Sequence, residues 1–126
     1  MKNCFLILIC CLLTNISFAY GKNAFADSIP PAYPGGEAAM IKFLSENIKY
    51  PPEDMRRGVS GIVRLSFVIN SEGKVKRVRA HAGPSRKIMQ EAIRVIKIMP
   101  DWTPGTLDGK KVSVLFNLPI RFNVPS

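Results

Sequence analysis

The sequence predicts an α+β domain in which two helices lie on one face of a three-stranded antiparallel sheet, in the order α-β-β-α-β and with strand order 2-1-3. Three observations lead there. Residues 61–70 and 112–123 alternate apolar and polar side chains, two other stretches repeat apolar residues every three or four positions, and Asn70-Ser71-Glu72-Gly73 joins two strand-like segments with turn chemistry. With 126 residues, 47% of them hydrophobic, the chain has room for one such domain and a short tail, not for two domains.

The first residues read as a processing signal. Lys2 precedes an apolar run from Cys4 to Leu13, and Thr14-Asn15 leads into the small-x-small triplet Ser17-Phe18-Ala19. The run is half the roughly 20 residues that a membrane-spanning helix needs. Residues 1–19 are therefore expected to be a signal peptide cleaved near Ala19, with Ala24-Phe25-Ala26 a second candidate site; left uncleaved, they would hold the protein at the inner membrane. Cys4, Cys10 and Cys11, the three cysteines, all fall in this segment, so the mature domain has neither a disulfide nor a thiolate.

Residues 20–36 are expected to form a disordered or extended lead-in, because Pro30, Pro31 and Pro34 with Gly35-Gly36 resist both helix and strand, and residues 37–126 to form the domain. Met40, Phe43, Leu44 and Ile48 make the stripe of a helix over 37–49, which Pro51-Pro52 ends. A further turn is expected at 53–57. In the first strand Val63, Leu65, Phe67 and Ile69 share one face. The second strand, 75–82, changes parity between Val75, Val78 and Ala80, which calls for a bulge. Ser85 is placed as the N-cap of a second helix carrying Ile88, Met89, Ala92, Ile93, Ile96 and Met99, which stops before Pro100. Trp102 is expected as a core or turn anchor, Asp108-Gly109 marks a turn, and the last strand is expected over 112–123.

Laid beside the first strand after a helical crossover, the third is antiparallel to it, which leaves strands two and three as the sheet edges. Strand two and its approach carry Lys74, Lys76, Arg77 and Arg79, which deter pairing, whereas no charge occurs between Val112 and Ile120. If the missing N–H of Pro119 points away from the sheet, the odd positions Ser113, Leu115 and Asn117 offer free backbone groups to an added strand. An uncharged edge is also compatible with a covering lead-in, an identical subunit, or no partner.

Eighteen Lys and Arg against nine Asp and Glu give a net charge of +9, concentrated after residue 55. Lys74, Lys76, Arg77, Arg79, Arg86 and Lys87 are expected as one basic patch suited to lipid phosphate, acidic polymer or an acidic receptor; the export signal and scarce aromatics exclude nucleic acid. His81 is the single histidine and is expected on the exposed strand edge with no special role. Without Cys or a second His in the mature chain, no nucleophilic triad or His-rich metal site can be assembled, so no catalytic residue, metal or cofactor is assigned.

The residues PAYPGGEAAMIKFLSENIKYPPEDMRRGVSGIVRLSFVINSEGKVKRV and IMPDWTPGTLDGKKVSVLFNLPIRF resemble the TonB C-terminal domain family over about residues 31–122. Tyr50-Pro51, Gly58 through Gly61, Gly73, Trp102-x-Pro104-Gly105 and the closing strand carry the resemblance. It implies a periplasmic protein that grips the TonB box of TonB-dependent outer-membrane transporters as an added strand, in support of energised transport. Val112, Ser113, Val114, Leu115, Phe116, Asn117 and Leu118 would be the pairing strand, with Tyr50 and Pro51 beside the incoming peptide. If the N-terminus is retained, the family also implies force from the inner-membrane ExbB and ExbD complex, although the long Pro-rich spacer is missing from this sequence. The alternative is a secreted accessory or scaffold domain that forms a homodimer or holds anionic envelope components without energy transduction.

Overall fold

The computed structural model describes residues 27–124. The expected signal peptide, its cleavage sites and the three cysteines lie outside the described residues. Three long strands make the main sheet: β2 (Gly61–Ile69), β3 (Val75–Ala82) and β6 (Val114–Phe122), in the order β3-β2-β6 with both pairings antiparallel. This is the expected 2-1-3 order. The expectation of five elements in the order α-β-β-α-β is corrected, because the described chain holds six strands in two sheets and three helices.

The additions are short. β1 (Ser28–Ile29), β4 (Gly105–Leu107) and β5 (Lys110–Val112) form a second antiparallel sheet in the order β1-β4-β5. Asp108 and Gly109 join β4 to β5 with φ of 52° and 82°, the left-handed pair that a two-residue hairpin of this twist requires. Segments of two or three residues have no measurable periodicity, and only their turn was legible. Because the Asp108-Gly109 turn folds 110–112 back onto β4, the last strand begins at Val114 and not at Val112.

Asp27 to Tyr33 is extended and pinned, the second of the two forms expected of the lead-in, and a turn at Pro34-Gly35 follows it. Ser28 and Ile29 pair with Leu107 and Thr106, Ala32 and Thr103 exchange backbone bonds of 3.0 and 2.8 Å, and Tyr33 is buried in the core. This segment is a strap laid against β4.

Helix α1 (Glu37–Asn47) buries Met40 and Leu44, and ends where Ile48 turns extended ahead of Tyr50-Pro51. The carbonyl of Asn47, left over at the helix end, accepts a 2.9 Å bond from Arg94 of α3 (Arg86–Lys97). The expected turn at 53–57 is a helical turn, α2 (Pro52–Arg56), with proline at its start. Ser85 caps α3 as expected: its hydroxyl accepts from the Ile88 N–H at 3.1 Å and donates to the buried Asp54 carboxylate at 2.8 Å. Ser85→Ala is expected to cost about 1–2 kcal/mol, measured as a lower urea midpoint. Wild-type stability in that variant would mean that neither bond contributes.

The inward residues of β2 (Val63, Leu65, Phe67, Ile69) and β6 (Phe116, Leu118, Ile120, Phe122) share one core cluster with Met40 and Leu44 of α1 and Ile88, Ala92, Val95 and Ile96 of α3. β2 and β6 pair without a slip from Gly61 opposite Phe122 to Ile69 opposite Val114. Between β2 and β3 the register shifts twice, and Arg77 takes a φ of 53° at one shift. These bulges absorb the parity change seen in the sequence.

Candidate functional site

β6 is a terminal strand: β2 occupies one flank, and no third strand pairs with the other among the described residues. Phe116, Leu118, Ile120 and Phe122 face the core, while Leu115, Asn117 and Arg121 are exposed. Pro119 stands opposite Arg64. A proline costs no ladder bond only where its position faces away from the neighbour, so the even positions of β6 serve β2 and the odd ones aim outward. Leu115 and Asn117 then present two N–H and two C=O groups, and Pro119 one further C=O.

The expected pairing residues do not form one segment. Val112 lies in β5 opposite Gly105, Ser113 is the break between strands, and Val114, Leu115, Phe116, Asn117 and Leu118 lie in β6. A hollow of about 380 Å³ adjoins this head of β6, between Leu115 and the strap.

Tyr50 and Pro51 sit elsewhere. The Tyr50 ring meets Phe122 edge-on at 5.6 Å and its hydroxyl donates to the Val59 carbonyl, while Pro51 opens α2. Phe122 is four residues beyond Leu118, or about 13 Å along a strand, so the structure places the two groups toward opposite ends of β6. Tyr50 and Pro51 line a separate hollow of about 320 Å³ with Glu91 and Arg94. Burial pushes the Glu91 carboxyl upward, yet hydrogen bonds from Arg94 and the Lys49 N–H outweigh it and hold the group below the usual glutamate range.

The head of β6 is braced by aromatic packing. Trp102 is buried, as expected, and meets Tyr33 of the strap, Phe67 of β2 and Phe116 of β6 with ring centroids 5.5, 5.9 and 5.1 Å away. Pairs of this kind contribute about 0.5–1.5 kcal/mol each beyond their burial. Tyr33 was not legible as a core residue, because its burial depends on where the strap docks.

The expected basic patch is divided. Lys74 pairs with Asp101 at 3.1 Å and Lys87 with Glu53 at 2.7 Å, whereas Arg64, Lys76, Arg77, Arg79 and Arg121 stand exposed on three strands that contain no carboxylate. His81 is exposed on β3 but not without a partner, since its Nε2 and the buried Ser66 hydroxyl share a 2.6 Å hydrogen bond. That contact arises at a bulge, whose exact position the sequence does not reveal.

Residues 46–124 match the Gram-negative bacterial TonB protein C-terminal family. Protein TonB of Pseudomonas putida is 30% identical over 88 residues, covering 67% of this chain and 36% of that protein, so the chain spans about a third of its relative's length. Two solution structures of the Helicobacter pylori TonB C-terminal domain share the fold. The longer fragment, residues 179–285, has a TM-score of 0.53 at 21% identity and covers 68% of this chain and 77% of the other. The shorter, residues 194–285, has a TM-score of 0.54 at 22% identity and covers 72% and 98%. The match over most of the folded residues, together with the shared architecture, means that the chain belongs to the TonB C-terminal domain family.

Proposed function

We propose that this domain is a periplasmic TonB-like binding module that takes the TonB box of outer-membrane TonB-dependent transporters as an added strand along β6. The observation that carries this is a terminal strand whose outer flank no strand pairs among the described residues, with no charge from Val114 to Ile120. Family membership supplies the partner class.

Five outward groups at roughly 1 kcal/mol each give a gross gain of about 5 kcal/mol, much of which association consumes. The grip is weak and readily released, as suits a coupling to a moving partner. With the N-terminal segment retained, force from ExbB and ExbD would enter through the strap; with it cleaved, the domain only docks.

Titrating ¹⁵N-labelled protein with a synthetic TonB-box peptide tests this. The Val114, Leu115, Phe116, Asn117 and Leu118 amides are expected to shift together. Unmoved β6 amides at saturating peptide would overturn strand addition and favour the accessory reading, for which the carboxylate-free cations of the main sheet are the supporting observation.

A further inference from the structure

We infer that the hollow at the head of β6 is a side-chain pocket of the docking edge, taking one large aliphatic side chain of the incoming strand and, next to it, a carboxylate. The inference rests on the strand-addition reading above and adds a site to it. Ile29, Pro31, Leu107, Val114 and Leu115 line a space of about 380 Å³.

Five large hydrophobic side chains stand exposed among the described residues, and three of them, Ile29 at 57%, Leu107 at 43% and Leu115 at 62%, line this one hollow. Apolar surface gathered in one place, and not scattered singly, marks a contact. Its position beside Leu115 identifies the occupant. Side chains of a strand added to β6 alternate between the two faces of the sheet, so one parity stands on the Leu115 face next to the hollow. The other parity lies over the core side, past Phe116.

The strap builds one wall of this pocket. A Cβ on Gly105 would come within 3.0 Å of Val114 Cγ2 and 3.1 Å of both the Ile29 carbonyl oxygen and Pro31 Cδ. Strap, β4 and β6 therefore meet in close contact, and the pairing of Ser28 and Ile29 with β4 holds that wall in place. The pocket is incomplete without residues 28–31, which a domain boundary drawn at Glu37 would omit. Charge fixes the second feature. Lys110 of β5 stands opposite Leu107 of β4, so the two side chains share a face at the rim of the hollow, whereas Lys111 points to the other face; Lys110 is exposed and in no ion pair among the described residues.

The experiment is a double-mutant cycle on the protein recovered from cells, using the TonB-box peptide and a set in which each apolar peptide residue in turn becomes alanine. At one peptide position alanine is expected to weaken binding about tenfold. In a Leu107→Ala, Leu115→Ala protein the same replacement is expected to cost less than about twofold, and Ile29→Ala is expected to reduce it likewise. All three residues are exposed, so the variants keep the wild-type melting temperature within a few degrees. An equal cost in wild-type and variant proteins, with β6 amides still shifting, overturns the pocket while strand addition stands. Absent β6 shifts with every peptide overturn both. Lys110→Gln is expected to weaken an acidic peptide and spare its glutamine counterpart; equal affinity for the two peptides in wild-type protein removes the carboxylate from the site.

Discussion

Gly73→Ala is expected to destabilise the domain by about 2–5 kcal/mol, a large part of the roughly 5–15 kcal/mol that domains of this kind possess. Gly73 closes the β2–β3 turn with a φ of 86°, where an L side chain is strained by about 1–2 kcal/mol. A Cβ there would also fall 2.0 Å from the Trp102 carbonyl oxygen, a backbone atom that cannot rotate aside, and overpacking of this kind costs a further 1–3 kcal/mol, about. The two segments are already joined at this point, since the Trp102 N–H donates to the Gly73 carbonyl at 2.7 Å. Gly109→Ala separates the causes. Its φ of 82° is nearly the same, yet nothing lies within 4 Å of a Cβ, so the backbone strain alone, about 1–2 kcal/mol, is expected there. Urea unfolding of both variants checks the difference; equal losses would remove the Trp102 contact from the account.

The Gly73 contact bears on function through what Trp102 touches. Its indole packs against Tyr33 of the strap, Phe67 of the central strand and Phe116 of β6. Moving the Trp102 backbone thus disturbs the hairpin turn, the wall of the proposed pocket and the seating of β6 together. Gly73 and the Trp102-x-Pro104-Gly105 turn lie 29 residues apart in sequence, and the structure brings them into one contact.

What the sequence discloses follows from the length of each signal. β2 and β3 span nine and eight residues, long enough for alternation, or its interruption, to set their faces, and α3 repeats its apolar stripe over three turns behind a serine cap. Pro119 even assigns the hydrogen-bonding parity of β6, because the residue lacks a donor wherever it sits. The strap and the β4–β5 hairpin stay hidden for the opposite reason. Ser28 and Ile29 are held by Leu107 and Thr106, nearly 80 residues away, and a two-residue pairing leaves no local pattern. Tyr50 shows a related gap, since a Tyr-Pro pair after a helix does not state which end of a distant strand it meets. The structure puts that ring on Phe122, whereas Leu107 and Ile29 bring the exposed apolar side chains to the other end of β6.

Asn117→Pro is expected to weaken peptide binding by at least about tenfold while leaving the fold intact. Asn117 is exposed, faces Ser66 across the ladder and shares the parity of Pro119, so its N–H belongs to the outward set. Proline there removes one donor, leaves the incoming carbonyl unpaired at about 1–3 kcal/mol, and sets a ring against the approaching backbone. Together these lower affinity by at least about tenfold. The residue before a proline is pushed toward extended backbone, which Phe116 already occupies in β6. No bond to β2 is lost, so the melting temperature is expected to stay within a few degrees of wild type. Leu118→Pro is the counterpart one position on: it removes a ladder bond opposite Leu65 together with a buried side chain, and is expected to cost more than about 3 kcal/mol. Thermal melts of the two variants read the parity of β6, and peptide titration of Asn117→Pro tests the proposed strand addition. A domain that unfolds with Asn117→Pro and tolerates Leu118→Pro would place the outward groups on the even residues, and the incoming strand would have to meet β6 one residue out of the register argued here.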